Sequence, residues 1–181
     1  MSRAAKAASP VLETARLQLD WLTLDDADLM LSVWNDARFI KHVADRGIRT
    51  LKEAEEALQA GPLKLYENYG YGPYRVSIKE TGEAIGTCGL FKRDYLEDPD
   101  IGFALLPDFS GAGLGWESAD CVLRHARDDM YLPRLTAIVS PANAPSIGLI
   151  TKLGMQHERN FQAPGESSDV SLYGINWSHG S

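Results

Sequence analysis

Residues 16–22, RLQLDWL, alternate Leu17, Leu19 and Trp21 with polar neighbours. That period of two is the mark of a half-buried strand. The period then lengthens. TLDDADLMLSVWND (23–36) sets Leu29, Met30, Val33 and Trp34 at helical spacing, with Thr23 as N-cap and Asp26 three residues on. TLKEAEEALQAG (50–61) repeats the device: Thr50 caps, Glu53 closes the box, and Leu51, Ala54 and Leu58 form the apolar stripe. Gly61-Pro62 breaks or kinks that helix.

From Pro73 onward the pattern returns to strands. YRVSIK and AIGTCGLF flank ETGE, a hairpin signal with Gly82 at its tip. KRDYLEDP is a polar connection and DIGFALL (100–106) the next strand. WESADCVLRHARDDM (116–130) places Ala119, Val122, Leu123, Ala126 and Met130 on one helical face. RLTAIV (134–139) reads as a strand buried on both sides. NAPSIGLITKLGM reads as a short helix, with Asn143 near its start, Pro145 in its first turn and Gly154 just past its end. QHERNFQ and DVSLYGINW predict two closing strands around the loop APGESS. This order of elements predicts an α+β or mixed α/β sandwich, with no internal repeat.

The 181 residues suit one domain with its own core, taken as 11–177 behind a loose tail at 1–10. MSRAAKAASP lacks the apolar stretch of a signal peptide, and no run approaches the roughly 20 apolar residues of a membrane span. A cytoplasmic protein is therefore expected. The net charge of -7 repels phosphate backbones and anionic surfaces, so neither nucleic acid nor membrane is an expected partner. The acidity suits an amine-bearing substrate, and also simple solubility. Cys88 and Cys121 lack metal-type spacing and read as buried free thiols, and the four histidines show no ligand spacing, so no metal is expected.

DFSGAGLGWES (108–118) packs three glycines into five positions between a strand and a helix. Bare amides at the positive end of a helix dipole suit a diphosphate, although the same cluster taken alone is also a permissive turn. No Gly-Lys-Ser/Thr follows, as a Walker loop requires. The third glycine stands one place early for a dinucleotide fingerprint, and the following strand ends without an acid.

SGAGLG resembles the acyl-CoA diphosphate loop of the GNAT acetyltransferases, whose pattern is Arg/Gln-x-x-Gly-x-Gly/Ala, with Ser110 standing where Arg or Gln is usual. LETARLQL, DIGFALLPDFSGAGLG and NAPSIGLITKLGM resemble, in order, three further segments of the branch that acetylates ribosomal-protein N-termini and of its small-molecule relatives. The resemblance implies a mostly antiparallel mixed sheet, splayed between the family's strands four and five, with helices on both faces. It implies acetyl-CoA as co-substrate and direct acetyl transfer to an amine, either a protein N-terminus or a small molecule. A GNAT-fold acyl-CoA sensor without turnover is the alternative.

It further implies that Ala104, Leu105 and Leu106 offer main-chain groups to the pantetheine arm, with an amide near Leu105 polarising the thioester. Ser110, Gly111, Ala112, Gly113, Leu114 and Gly115 would take the diphosphate, and Asn143 and Ser146 would face the cofactor. Ser146 would protonate or bind the leaving thiolate. Asp100 is the first candidate for general base, with Glu97 and Asp98 as rivals. Trp21, Trp34, Tyr71 and Tyr74 are candidates for an acceptor pocket, with YENYGYGPY (66–74) as an aromatic rim or a loop packed on the sheet. A monomer or a homodimer is expected.

Overall fold

A computed structural model describes residues 10–178, and the tail expected at 1–10 lies, but for Pro10, outside the described residues. Eight strands form one sheet: β1 (Leu12–Glu13), β2 (Leu17–Trp21), β3 (Pro73–Ile78), β4 (Ala84–Phe91), β5 (Asp100–Leu105), β6 (Arg134–Val139), β7 (Gln156–Gln162) and β8 (Asp169–Asn176). Their order is β1-β2-β3-β4-β5-β6-β8-β7. Six α-helices accompany them: α1 (Ala27–Trp34), α2 (Ala37–His42), α3 (Leu51–Ala60), α4 (Pro62–Tyr69), α5 (Leu114–Arg124) and α6 (Ala144–Lys152).

Both expected capping boxes are present. Thr23 and Asp26 close the 3₁₀ turn that leads into α1, and Thr50 and Glu53 close the start of α3. Gly61-Pro62 divides two helices, because Pro62 supplies no amide to α3 and serves as the first residue of α4. YENYGYGPY is accordingly not a loop throughout: Tyr66 and Tyr69 belong to α4, and Tyr74 is buried in β3. Tyr66 accepts from the Leu22 amide and donates to the Pro73 carbonyl, so its ring ties α4 to the sheet. β1 and α2 have no counterpart among the predicted elements; each is too short to show a period. α5 begins at Leu114, two residues before the expected stretch, and its last turn widens to a π-helix over His125–Asp129.

The helices fall on opposite faces of the sheet, and β5 shows which. Ile101 lies in one core, and Phe103 and Leu105 pack against it, with Leu114, Ala119, Val122 and Leu123 of α5 and Ile150 of α6. Ala104 and Leu106 pack into the other, with Met30, Val33 and Trp34 of α1 and Ala54 and Leu58 of α3. Successive side chains of a strand point to opposite faces, so β5 separates the two cores residue by residue.

All neighbouring strands pair antiparallel except β5 and β6, which run parallel and pair at a single register position, Asp100 with Thr136. The Thr136 amide donates to the Pro99 carbonyl at 3.0 Å. Beyond that point the two strands part, as the splayed sheet predicts. Gly86 of β4 sits opposite Leu105 at φ 151°, and a Cβ there would meet the Ala104 carbonyl and lie 2.7 Å from Leu105 Cα. Gly86→Ala is therefore expected to push β5 away from β4 and to cost about 1–3 kcal/mol, read as a lower urea midpoint.

Candidate active site

The parting of β5 and β6 leaves main-chain groups on β5 without a strand partner. The Leu106 amide donates to Ile85 of β4 at 2.8 Å, and alternation turns the N–H and C=O of Phe103 and Leu105 the other way, into the split. Residues 104–106 therefore divide their main-chain groups between β4 and the split. Leu106 spends its amide on β4 and the Ala104 carbonyl faces Gly86, which leaves Leu105, with Phe103 beside it, to offer main-chain groups.

Past β5 the chain makes a 3₁₀ turn over Pro107–Phe109 and enters the glycine loop. Gly111 stands at φ 81° and Gly113 at φ 79°, in the left-handed region that side chains resist, and a Cβ at Gly111 would meet open space. Gly113 is the N-cap of α5 and makes no side-chain cap. Among the described residues the amides of Gly111 through Gly115 have no protein acceptor, so the first turn of α5 presents bare N–H groups.

The loop is held from behind by the opening segment of the chain. Arg16 Nη1 donates to the Ala112 carbonyl at 3.0 Å, and its Nε and Nη2 grip Glu117 at 2.7 and 2.6 Å. Thr14 Oγ1 donates to the other Glu117 oxygen at 2.5 Å, and the Arg16 amide bonds it at 3.0 Å. These hydrogen bonds, largest among them that of Thr14, hold the Glu117 carboxyl below the usual range against the opposing effect of burial. The segment LETARLQL, through Thr14 and Arg16, is thereby joined to the loop across about a hundred residues.

A cleft of about 440 Å³ opens over the loop and the end of β5. Of the predicted site residues, Ala104, Leu105, Ser110, Gly111, Gly113, Gly115, Asn143 and Ser146 line it. Leu106, Ala112 and Leu114 do not: the Ala112 carbonyl is turned to Arg16, and the Leu114 side chain is buried in the core, which leaves it only its amide to offer. Asn143 caps α6 by accepting from the Ser146 amide at 3.4 Å. The opposite wall comes from α2 and its flanks, Asp36, Arg38, Phe39 and His42, and Trp116 and Lys152 face the cleft with the Lys152 ammonium 4.6 Å from the indole centre. Sequence reading missed this wall because ARFIKH carries no periodic apolar face.

Asp100 lies outside the cleft, where β5 and β6 meet. It is 1 % exposed, and both its oxygens accept from Arg93 Nε at 3.0 Å. Burial pushes its carboxyl up to about 6, and the Arg93 charge and hydrogen bond hold it from rising further. Burial chiefly, then the charges of Tyr69 and Asp100, push the Tyr71 phenol up. Of the rivals, Asp98 is bound by Arg134 at 2.9 Å and Glu97 is exposed. The Cys88 thiol is fully buried and pushed up to about 12 by desolvation, so it is no thiolate nucleophile. Trp34 is buried under the Arg46 guanidinium, and Trp21 is 40 % exposed beside Tyr66 and Tyr74.

A mostly antiparallel sheet that splits beside a glycine loop at a helix N-terminus is the architecture that the resemblance to the GNAT acetyltransferases implies. A family model for the acetyltransferase (GNAT) domain matches residues 16–156, and the chain belongs to that family. It is an acetyl-CoA-dependent acetyltransferase. An uncharacterized N-acetyltransferase of Bacillus licheniformis, p20, is 29% identical over 169 residues, covering 91% of this chain and 94% of that protein. The crystal structure of an acetyltransferase from Agrobacterium tumefaciens superposes with a TM-score of 0.78 at 23% identity, covering 94% of this chain and 96% of the other. RimL, a ribosomal L7/L12 α-N-protein acetyltransferase solved with coenzyme A, superposes at 0.77 with 18% identity, covering 90% and 95%. Among the described residues no helix is long and apolar enough to cross a membrane, and no three His, Cys, Asp or Glu side chains are grouped as a metal site needs.

Removing Arg93 strands a buried carboxylate. Arg93→Met is expected to cost on the order of 3 kcal/mol at pH 7.5. Without Arg93 the Asp100 carboxyl is pushed higher still, so the variant's folded state takes up its proton at higher pH than wild type does, and the deficit should shrink as pH falls toward about 6 and level off below it. Urea unfolding at pH 5 and pH 7.5 checks both the size and the sign.

Proposed function

We propose that this chain acetylates a primary amine, on a small molecule or a protein N-terminus, by direct attack on acetyl-CoA. The observation that carries this reading is the parting of β5 and β6 beside unpartnered loop amides. The diphosphate binds the amides of Gly111 through Gly115, and the pantetheine arm pairs with the free edge of β5 at Phe103 and Leu105. The thioester then lies in the split, where the Leu105 amide donates to the carbonyl oxygen as negative charge develops on it.

The amine lone pair attacks the carbonyl carbon, the tetrahedral intermediate collapses, and the C–S bond breaks with its electron pair going to sulfur. Ser146, on the wall of the cleft, donates a hydrogen bond to the departing thiolate or relays to it the proton that the new amide nitrogen sheds, so coenzyme A leaves as the free thiol. An amine is mostly ammonium at neutral pH and must lose a proton before it attacks. Asp100 takes that proton through water, since its carboxyl lies at the apex of the split and outside the cleft. A carboxylate buried beside one arginine and titrating near 6 is ionised at neutral pH and holds a proton well when one arrives. A co-substrate and one acceptor are the only partners this chemistry requires, and it is met by a monomer or by each subunit of a homodimer.

Gly113→Val is expected to weaken acetyl-CoA binding at least about tenfold while the fold persists, because a β-branched residue resists φ 79°. Calorimetric titration checks this, and wild-type affinity in a folded variant would overturn the loop assignment. With Asp100 as base, kcat/KM rises with pH through about 6, as the carboxyl loses its proton. Asp100→Asn should remove that rise and lower kcat more than it raises KM for acetyl-CoA, measured across a panel of peptide N-termini, polyamines and aminoglycosides. An unchanged pH profile would clear Asp100 of the role.

A further inference from the structure

The diphosphate loop lacks a cation of its own. Position 110 is a serine, Asp108 precedes it, and the partial charge of the α5 terminus amounts to roughly half an elementary charge. A diphosphate carries about two negative charges, so bare amides alone leave much of its charge uncompensated. The missing cation comes from elsewhere in the chain. Arg38, in the first turn of α2, reaches across the mouth of the cleft, where Nη1 donates to Ser110 Oγ at 2.6 Å and Nη2 to the Leu105 carbonyl at 2.8 Å. Its Nε donates to Asp36, which caps the same helix, at 3.1 Å.

We propose that Arg38 is the diphosphate-binding cation of this site, supplied by α2 to a loop whose own sequence omits one. This rests on the acetyl-CoA reading above and adds to it a residue and a charge. Three of the five guanidinium N–H donors are engaged, which leaves two for a phosphate. The side chain is 49% exposed, so a ligand can reach it. Ser110 acts as a tether that aims the guanidinium at the loop. The Leu105 carbonyl is one of the groups that the pantetheine arm pairs with, so Arg38 must release it when the carrier enters, and the freed Nη2 joins the donors available to phosphate. Lys152, the other permanent cation on the cleft, is held over the Trp116 ring on the α6 wall.

The test compares two probes, coenzyme A and S-acetyl-pantetheine, which lacks the diphosphate and nucleotide. Each is titrated calorimetrically against wild type, Arg38→Met, and Arg38→Met combined with Ser110→Arg, with circular dichroism confirming that each protein is folded. Arg38→Met is expected to weaken coenzyme A at least tenfold and to leave S-acetyl-pantetheine bound as tightly as in wild type or more tightly, since the Leu105 carbonyl is then free. Ser110→Arg should restore most of the loss by returning a cation to the loop. Coenzyme A affinity within twofold of wild type in Arg38→Met would overturn the proposal, as would an equal loss for both probes, which would make Arg38 a support for the strand edge only. Failure of wild type itself to bind coenzyme A would instead overturn the reading of the site on which the proposal rests.

Discussion

β5 and β6 are hydrogen-bonded where they begin and nowhere after, and the rest of the molecule is arranged around that short contact. Two parallel strands that part leave unpaired amides and carbonyls facing a gap, and buried backbone groups without partners are costly. A sheet tolerates such a gap only where water or a ligand with its own amides fills it. The split is held open from both faces. α5 and α6 pack against Ile101, Phe103 and Leu105 on one side, and α1 and α3 pack against Ala104 and Leu106 on the other. The register of β5 against β4, fixed by Gly86 opposite Leu105, decides which carbonyls face the gap.

The loop beyond β5 has to stay in a strained shape whether or not a phosphate is present. Two left-handed glycines reduce the strain, and the Thr14–Arg16–Glu117 cluster opposes collapse by gripping both the Ala112 carbonyl and the first turn of α5. Glu117 has a double use, since a carboxylate in the first turn also complements the helix dipole. The positive end of α5 is thereby shared between an internal anion on its outer side and bare amides on the side of the cleft. α2 adds a further charge at the mouth, so the cleft combines amides from the loop, main-chain groups from β5 and cations from two helices.

Asp100 and Arg93 show how a position fixed by the fold also meets a condition of the proposed chemistry. A carboxylate at the apex of the split needs a partner to be buried at all, and Arg93 supplies it from the connection after β4. Burial raises the proton affinity of the acid, and the pairing keeps it ionised near neutrality, the condition a general base requires. The same burial keeps it out of direct contact with the cleft, so the proposed role as base requires a water between amine and carboxylate.

Most elements were legible in local sequence: the capping boxes at Thr23 and Thr50, the hairpin at Gly82, the alternation of β2 and the Gly61-Pro62 break each depend on residues within a few positions of one another. The glycine loop was legible for the same reason. Positive φ and bare amides are local properties, and they single out Gly111 and Gly113, which the fold places on the cleft. What sequence could not supply was everything joined across long separations. Arg38 meets Ser110 over 72 positions and Arg16 meets Glu117 over 101, and neither pair has a pattern that announces it. The direction of each carbonyl on β5 follows from strand pairing, which is why Leu105 serves the split and Ala104 and Leu106 serve β4. Residue chemistry and short-range periodicity were written in the chain; which groups share one cleft, and which way each backbone dipole points, depended on the sheet register that only the folded structure sets.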